Sequence, residues 1–425
     1  MSKHSSWRAL MVTLTLSAST AVLAQTYATG DSRSVSQPSM PSACQTLSAQ
    51  FTASAVDVNT PTSSDDTSRI QSALNSCANS GKAVVLAASG SKNAFLSGQL
   101  TIESGESLAV NSGVTLYGNN SYNSEKELIY TSGTNVGIYG PGAIDGRANV
   151  HKFSGTPRLV QTSSATNFTV YNVTLQNAAH PNLYIQGGSG ATVWNTTINT
   201  SPTQANADGI DIDSITDVTV NNSQITAGDD GIAIKTNAAA AKNITVENTS
   251  VIGSHGLSIG SQTFDGVTNV LFANDYVYGK TSGGTASTDA NAINIKTDSE
   301  CGGLVQQVTY QNICTRYVNH LIVVNAAYGS CSGTAGTPQF KDIIVNGAYA
   351  ENSLSSAYER FAGYNSSNLA QVYLANIKLD SNTQSGDAYA EIYLDNVNGL
   401  APSGTGVTTS SWSANGSVPS CSFQF

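Results

Sequence analysis

Two neighbouring carboxylates stand out in a chain that is otherwise poor in charge: Asp229 and Asp230, in AGDDGIAIK at 227–235. The residues after them alternate like a β-strand, and neighbouring side chains on a strand point to opposite faces. Both acids can therefore reach one site only from a bend, which Gly228 and Gly231 would permit. Two chemistries suit such a doublet. It could bind calcium through its oxygens, or it could serve as a pair of acids in proton transfer. Similar segments supply partners for either. NADGIDID (206–213) brings Asp208, GSHGLSIG (253–260) brings His255, and DANAINIK (289–296) brings Asn294 and Lys296.

The elements that must position these residues recur along the chain. NFTVYNVTL (167–175), GATVWNTTI (190–198), TDVTVNNSQI (216–225), KNITVENTSV (242–251) and TNVLFANDYV (268–277) are alternating strands, each with an Asn near its end. Those residues, Asn172, Asn195, Asn222, Asn248 and Asn274, step by 23, 27, 26 and 26, with looser versions at Asn312, Asn346 and Asn376. The acid-bearing segments form a second row, interleaved with the first. One short strand cannot bury its apolar face alone, but stacked coils form a continuous core. Asparagines at equivalent turns would then line up as a hydrogen-bonded ladder. The pattern predicts an all-β fold, a single-stranded right-handed parallel β-helix. A β-propeller needs about 40 residues per blade, more than these steps allow. One helix is expected over 66–81, where Ile70, Ala73, Leu74 and Cys77 recur at helical spacing and Gly81 supplies a stop. It would cap the open apolar end of the stack.

Composition agrees. Only 11% of the 425 residues are charged, against about 25% in a typical soluble protein, while the 40% hydrophobic fraction is ample for a large core. Abundant Thr, Asn and Val favour strands and turns over amphipathic helices. Lys3 and Arg8, the apolar run ALMVTLTLSASTAVLA, and small residues at Val22 and Ala24 have the layout of a signal peptide cleaved after Ala24. No later segment is apolar for long enough to span a bilayer. No Pro-rich or charged linker divides the rest. The expectation is a secreted monomer with one domain over 25–425 and no membrane partner. Six cysteines fit an oxidising compartment, and the absence of a CxxC pair argues against zinc. Of fifteen possible connectivities, Cys44–Cys77 is the preferred first bridge, beside the expected helix. The net charge is −10, or −12 without Lys3 and Arg8, which argues against nucleic acid as a partner. An anionic substrate would need a few local cations.

In a stack of coils, residues far apart in sequence become neighbours. Aligning the second row brings Asp208, Asp229, Asp230, His255 and Lys296 onto one lateral face. NAD (206–208), GDD (228–230), SHG (254–256) and NIK (294–296), in that order, resemble the marks of glycoside hydrolase family 28, the polygalacturonases and their relatives, bacterial members above all. GIYGPGAIDG (137–146) and TPRLVQ (156–161) also look like family segments. The resemblance spans roughly 31–400 and implies hydrolysis of α-1,4-linked galacturonan or a related pectic chain, with inversion and without metal or cofactor. By family position Asp229 is the general acid, while Asp208 and Asp230 hold and deprotonate the water. Clustered carboxylates raise one another's pKa, which would keep one protonated. His255 would tune or orient the acid, and Asn206, Asn294, Lys296 and Tyr328 would bind substrate. Lys235 would be a second cation in the cleft or an ion-pair partner of the acids. Asp211 and Asp213 read as structural or cleft-edge residues, and Asp145 as a turn former.

Departures from the family pattern bear on specificity. Asn294 stands where the family has Arg, removing a bidentate carboxylate partner, and Ala207 replaces a Thr. The 146–156 stretch lacks the family's longer, Trp-containing loop, and 281–296 is long. Two other readings compete with hydrolysis. A β-helical pectate lyase needs Ca²⁺ and a strong base, commonly Arg, and all seven arginines are expected outside the stacked row. A non-catalytic pectin-binding relative would not need the Asp trio.

Overall fold

The computed structural model describes residues 25–423, apart from 57–64, 120–126, 331–335 and residues 154, 288 and 382. The expected signal peptide and Cys331 lie outside the described residues. The chain winds as a right-handed parallel β-helix, coil stacked on coil. One long face is a ten-stranded parallel sheet running from Leu100–Ile102 to Arg360–Ala362, and it carries the candidate site. Its central strands are Leu183–Gln186, Ile210–Asp213, Ile232–Thr236, Leu257–Thr263, Asn291–Asp298 and His320–Gly329.

Two inward columns fix the register of this face. Ile210, Ile232, Leu257, Ile293 and Ile322 pair in sequence, as do Ile212, Ile234, Ile259, Ile295 and Val324. All ten are fully buried. Burying such a side chain is worth about 1.5–3 kcal/mol, and a slip of one residue would turn a whole strand's share of the column to water. The residues between the columns must face outward. From coil to coil they are Tyr184, Asp211, Ala233, Ser258, Asn294, Val323 and Arg360.

Asparagine does mark the bends. Asn172, Asn195, Asn222, Asn248, Asn274, Asn312 and Asn376 all have left-handed backbone, which Asn tolerates better than other non-glycine residues. Asn346 does not share that conformation; its neighbour Gly347 takes it. Side chains link Asn195 to Asn172 at 2.8 Å, Asn312 to Asn274 at 3.0 Å and Asn376 to Asn346 at 2.8 Å. The ladder steps sideways at Asn248, which donates to Asn221. A second ladder, which the repeat alignment did not reveal, joins Asp217, Asn243 and Asn269 at 3.0 and 2.9 Å.

The helix forms at Thr67–Cys77, with Ile70, Ala73, Leu74 and Cys77 buried as the spacing predicts. Cys44 and Cys77 are bonded, and a second bridge, Cys314–Cys421, pins the C-terminal segment. One feature has no periodic signal in the sequence. Residues 28–33 run along the outside of the stack, against its direction, as a strap. Ala28 donates to Thr309, Gly30 to Asn269, Asp31 to Thr245, Ser32 to Asp217 and Arg33 to the Ala191 carbonyl.

The inward columns make a direct stability prediction. Ile259→Ala should cost about 2–5 kcal/mol, read as a lower urea midpoint with an unchanged slope. A loss far below that range would mean that the column does not hold the coils in register.

Candidate active site

The acids sit on the bends that lead into the central strands. Counting back two residues from the paired Ile210, Ile232 and Leu257 gives Asp208, Asp230 and His255, one position on three successive coils. Parallel strands are about 4.7–4.9 Å apart, so this stacking brings the three together. Asp229 lies one residue earlier on its bend, and its carbonyl accepts the His255 amide at 2.8 Å. The flanking glycines act through space, not through unusual backbone. A Cβ on Gly228 would lie 1.9 Å from the Gln204 carbonyl oxygen, and one on Gly231 would lie 2.2 Å from Val251.

Each acid has its own partner. Lys235 Nζ lies 2.8 Å from Asp208 and 2.8 Å from Asp211. Lys296 Nζ lies 3.1 Å from Asp230, which also accepts from Ser258 Oγ at 2.6 Å. His255 Nδ1 lies 2.9 Å from Asp229 Oδ1. Lys235 is thus held by the acids; of the two readings of its charge, the ion pair describes this geometry. Asp213 is fully buried and accepts from Tyr184, Ser214 and Asn237, a structural arrangement. Asp145 ties its turn together through Arg147, Gln176 and Asn177.

These partners change the expected electrostatics. Burial pushes the Asp229 carboxyl up, as does the charge of Asp230. The His255 hydrogen bond and the charges of His255 and Lys296 outweigh them and hold it below its usual value. Clustering alone would raise a carboxyl here, but at Asp229 the His255 partner and the Lys296 charge reverse that effect. His255 responds in the opposite sense. Burial pushes it down, but the Asp229 hydrogen bond and the charges of Asp229 and Asp230 raise it. The carboxyl that does rise well above its usual value is Asp211, through burial and the charge of Asp208, against the opposing pull of Lys235.

Two hollows open on either side of the acids. One, of about 360 Å³, is lined by Asn206, Asp208, Asp211, Lys235, Arg158 and Tyr184 among others. The second, of about 270 Å³, includes His255, Asn294, Lys296, Tyr328, His320 and Arg360 in its lining. Every residue expected to bind substrate therefore lines one of the two. Tyr328 is 55% exposed, and the Lys296 ammonium lies 5.1 Å from its ring centre. Asn294 forms buried floor and donates to Ser258 at 3.4 Å.

The expectation about arginine is wrong on two counts. Arg158 and Arg360 open strands of this same face, and each lines a hollow. Arg158 stacks on Tyr184 at 4.1 Å. Neither residue belongs to a segment with the repeating glycine signature, so alignment of the repeats passes over them. Asp211 lines the first hollow, in keeping with a cleft-edge residue; Ser258, one residue into its strand, is a site-forming residue that the motifs do not single out, and the alternation of the strand is the signal for it.

Asp229, Asp230 and His255 offer atoms within 4.8 Å of one another, a geometry that could hold an ion. The donor set fits calcium poorly. Ca²⁺ takes six to eight oxygen ligands, whereas here one donor is imidazole and Asp230 already accepts from an ammonium and a hydroxyl.

A parallel β-helix with paired acids on its lateral face defines a class of polysaccharide-active enzymes, and comparison with known proteins specifies it. The model of glycosyl hydrolases family 28 matches residues 77–404. An endo-polygalacturonase of Pectobacterium carotovorum subsp. carotovorum is 35% identical over 392 residues, covering 83% of this chain and 90% of that protein. A polygalacturonase of Ralstonia solanacearum is 32% identical over 438 residues, covering 83% and 82%. The solved polygalacturonase of Erwinia carotovora ssp. carotovora superposes with a TM-score of 0.68 at 32% identity, over 92% of this chain and 100% of that one. The chain belongs to glycosyl hydrolase family 28 and is a glycosidase.

The His255–Asp229 pair predicts a titration. A histidine whose folded pKa is raised contributes stability that is present below its unfolded pKa of about 6.5 and is lost as pH rises through the folded value. The imidazole should titrate above that reference by NMR, and Asp229→Asn should bring it down. An unchanged value in that variant would show that Asp229 does not set it.

Proposed function

We propose that this protein is a secreted polygalacturonase that hydrolyses α-1,4-galacturonosidic bonds of pectin with inversion at the anomeric carbon. The observation that carries the reading is the convergence of Asp208, Asp229 and Asp230 between two hollows, with His255 bonded to Asp229. Asp229 is the most open of the three, its side chain 27% exposed, and it faces the groove with a proton source at its back. It delivers the proton of the His255–Asp229 pair to the leaving glycosidic oxygen. Asp208 and Asp230, one coil apart and held in place by Lys235 and Lys296, position a water on the other side of the sugar and remove its proton. An acid and a carboxylate base supply both halves of the displacement, although oxygens of Asp229 and Asp230 lie within 4.8 Å of one another, closer than the roughly 6.5–9.5 Å usual between the carboxyls of inverting enzymes. Lys296 and Tyr328 form the wall against which a sugar carboxylate packs, and Asn206 lines the opposite hollow. The enzyme acts as a monomer after loss of residues 1–24.

Asp229→Asn should lower kcat by about 10²–10⁴-fold, the usual contribution of general acid catalysis, with folding and substrate binding retained. A wild-type rate in that variant would assign the acid elsewhere. Chelator should leave turnover unchanged, and the products should be saturated, with the β-anomer appearing first by NMR. A 4,5-unsaturated product would mean elimination instead. Because the shared proton is required, activity should fall as pH rises through the elevated His255 pKa, and His255→Gln should displace that alkaline limb.

A further inference from the structure

Among the described residues, Lys235 and Lys296 spend their charge on the catalytic acids, at 2.8 and 3.1 Å. Arg360 does not. It is half-buried at the start of the last strand of the site face and lines the same 270 Å³ hollow as Lys296 and Tyr328. Among the described residues no carboxylate lies within ion-pair distance of its side chain, and its Nε is buried without an acceptor. Two carboxylates near it take their hydrogen bonds from backbone amides, and the Arg360 charge acts on the second, Asp387, only from beyond ion-pair distance. Glu359 accepts from the amides of Leu321 and Ile322, and Asp387 from those of Phe361 and Ser403. The guanidinium packs against Gly386, where a Cβ would lie 3.4 Å from Cζ. That support limits the rotamers open to it.

We infer that Arg360 is a specificity-determining residue, which binds the carboxylate of a uronic acid unit away from the cleaved bond. The inference rests on the polygalacturonase reading above. Register places Arg360 in the outward column with Ser258, Asn294 and Val323, three strands beyond Ser258. At about 4.8 Å per strand the Arg360 strand lies roughly 14 Å along the groove from the one that follows His255. The unit it holds is therefore not the sugar whose bond is broken, and its contact counts only for chains long enough to reach it. Along the floor between them, Asn294 and Val323 carry no charge. Asp289 is the acidic member of the hollow's lining and is exposed. His320, whose pKa is lowered by burial, adds no fixed cation. A planar guanidinium with free donors fits a carboxylate, and methyl esterification removes the negative charge it would bind.

The test compares Arg360→Gln with the wild type on unesterified polygalacturonate, highly methyl-esterified pectin and short oligogalacturonates. Loss of one charge-assisted contact should lower kcat/KM on polygalacturonate about 10- to 100-fold, chiefly through KM. The loss on esterified pectin and on the shortest cleaved oligomers should be far smaller, and Arg360→Lys should recover part of it. Equal losses on all substrates, or none, would overturn the inference. A lowered melting temperature with unchanged discrimination would likewise leave Arg360 a packing residue and nothing more. Binding of oligogalacturonates to Asp229→Asn, with and without Arg360→Gln, reads the subsite without turnover. If the wild type failed to cleave polygalacturonate, the proposed function would fall, whereas the binding comparison would still decide the role of Arg360.

Discussion

Ile210, Ile232, Leu257, Ile293 and Ile322 lie over one another out of reach of solvent, and this column sets how each coil sits on the next. Everything chemical on the molecule depends on that alignment. A strand has period two, so fixing which residues are inside also fixes which are outside. It follows that the residues two positions before each column member fall at one height on the bends. Asp208, Asp230 and His255 are neighbours for that reason, although 47 residues of sequence separate the first from the last. The glycines beside them let the coils close. At Gly228 and Gly231 even a methyl group would overlap the neighbouring coil.

Packing four acids on such a face has an electrostatic cost that the protein meets in two ways. Asp208, Asp211 and Asp230 are almost fully buried and take ammonium partners, Lys235 and Lys296. Those charges are fixed at any working pH, since both lysines have pKa values raised by the acids against the opposing effect of burial. Asp229 is more open and pairs with histidine, whose charge can change near neutrality. The carboxylates suited to holding water are thus held in place by lysines, while the one suited to giving up a proton is attached to a titratable group. The compensation has a limit at Asp211, where burial and the charge of Asp208 outweigh the pull of Lys235 and raise the carboxyl well above its usual value.

The strap of residues 28–33 and the Cys314–Cys421 bridge serve the same register from outside. The strap joins coils that the central columns already align, and the bridge ties the C-terminal tail to one of them. The strap reaches from the Ala191 carbonyl to the Thr309 side chain, so it spans the coils that bear the acids. Its side-chain partners Thr309, Asn269, Thr245 and Asp217 lie within strands. Asp217 and Asn269 of the second ladder therefore do double duty, bonding to Asn243 and receiving the strap.

The sequence by itself determined the period of the coils, the capping helix and the stacking of Asp208, the Asp229–Asp230 doublet and His255. These follow from alternation and from a repeat of near-constant length, which are local properties of the chain. Only the tertiary structure decided which cation meets which acid. Lys235 could have faced a substrate or an acid, and its sequence context does not distinguish the two. The choice depends on a side chain reaching across to the coil below. Tertiary structure also brought Arg158 and Arg360 onto the site face, from segments without the glycine signature of the repeats. It lowered the pKa of Asp229 where clustering alone predicts a rise. In each case the deciding quantity is a through-space distance of a few ångström between residues far apart in sequence, up to 66 positions for Lys296 and Asp230, and at that range Coulomb energies change steeply with placement. Alternation sets the face of a residue; it does not set the rotamer or the neighbour it finds there.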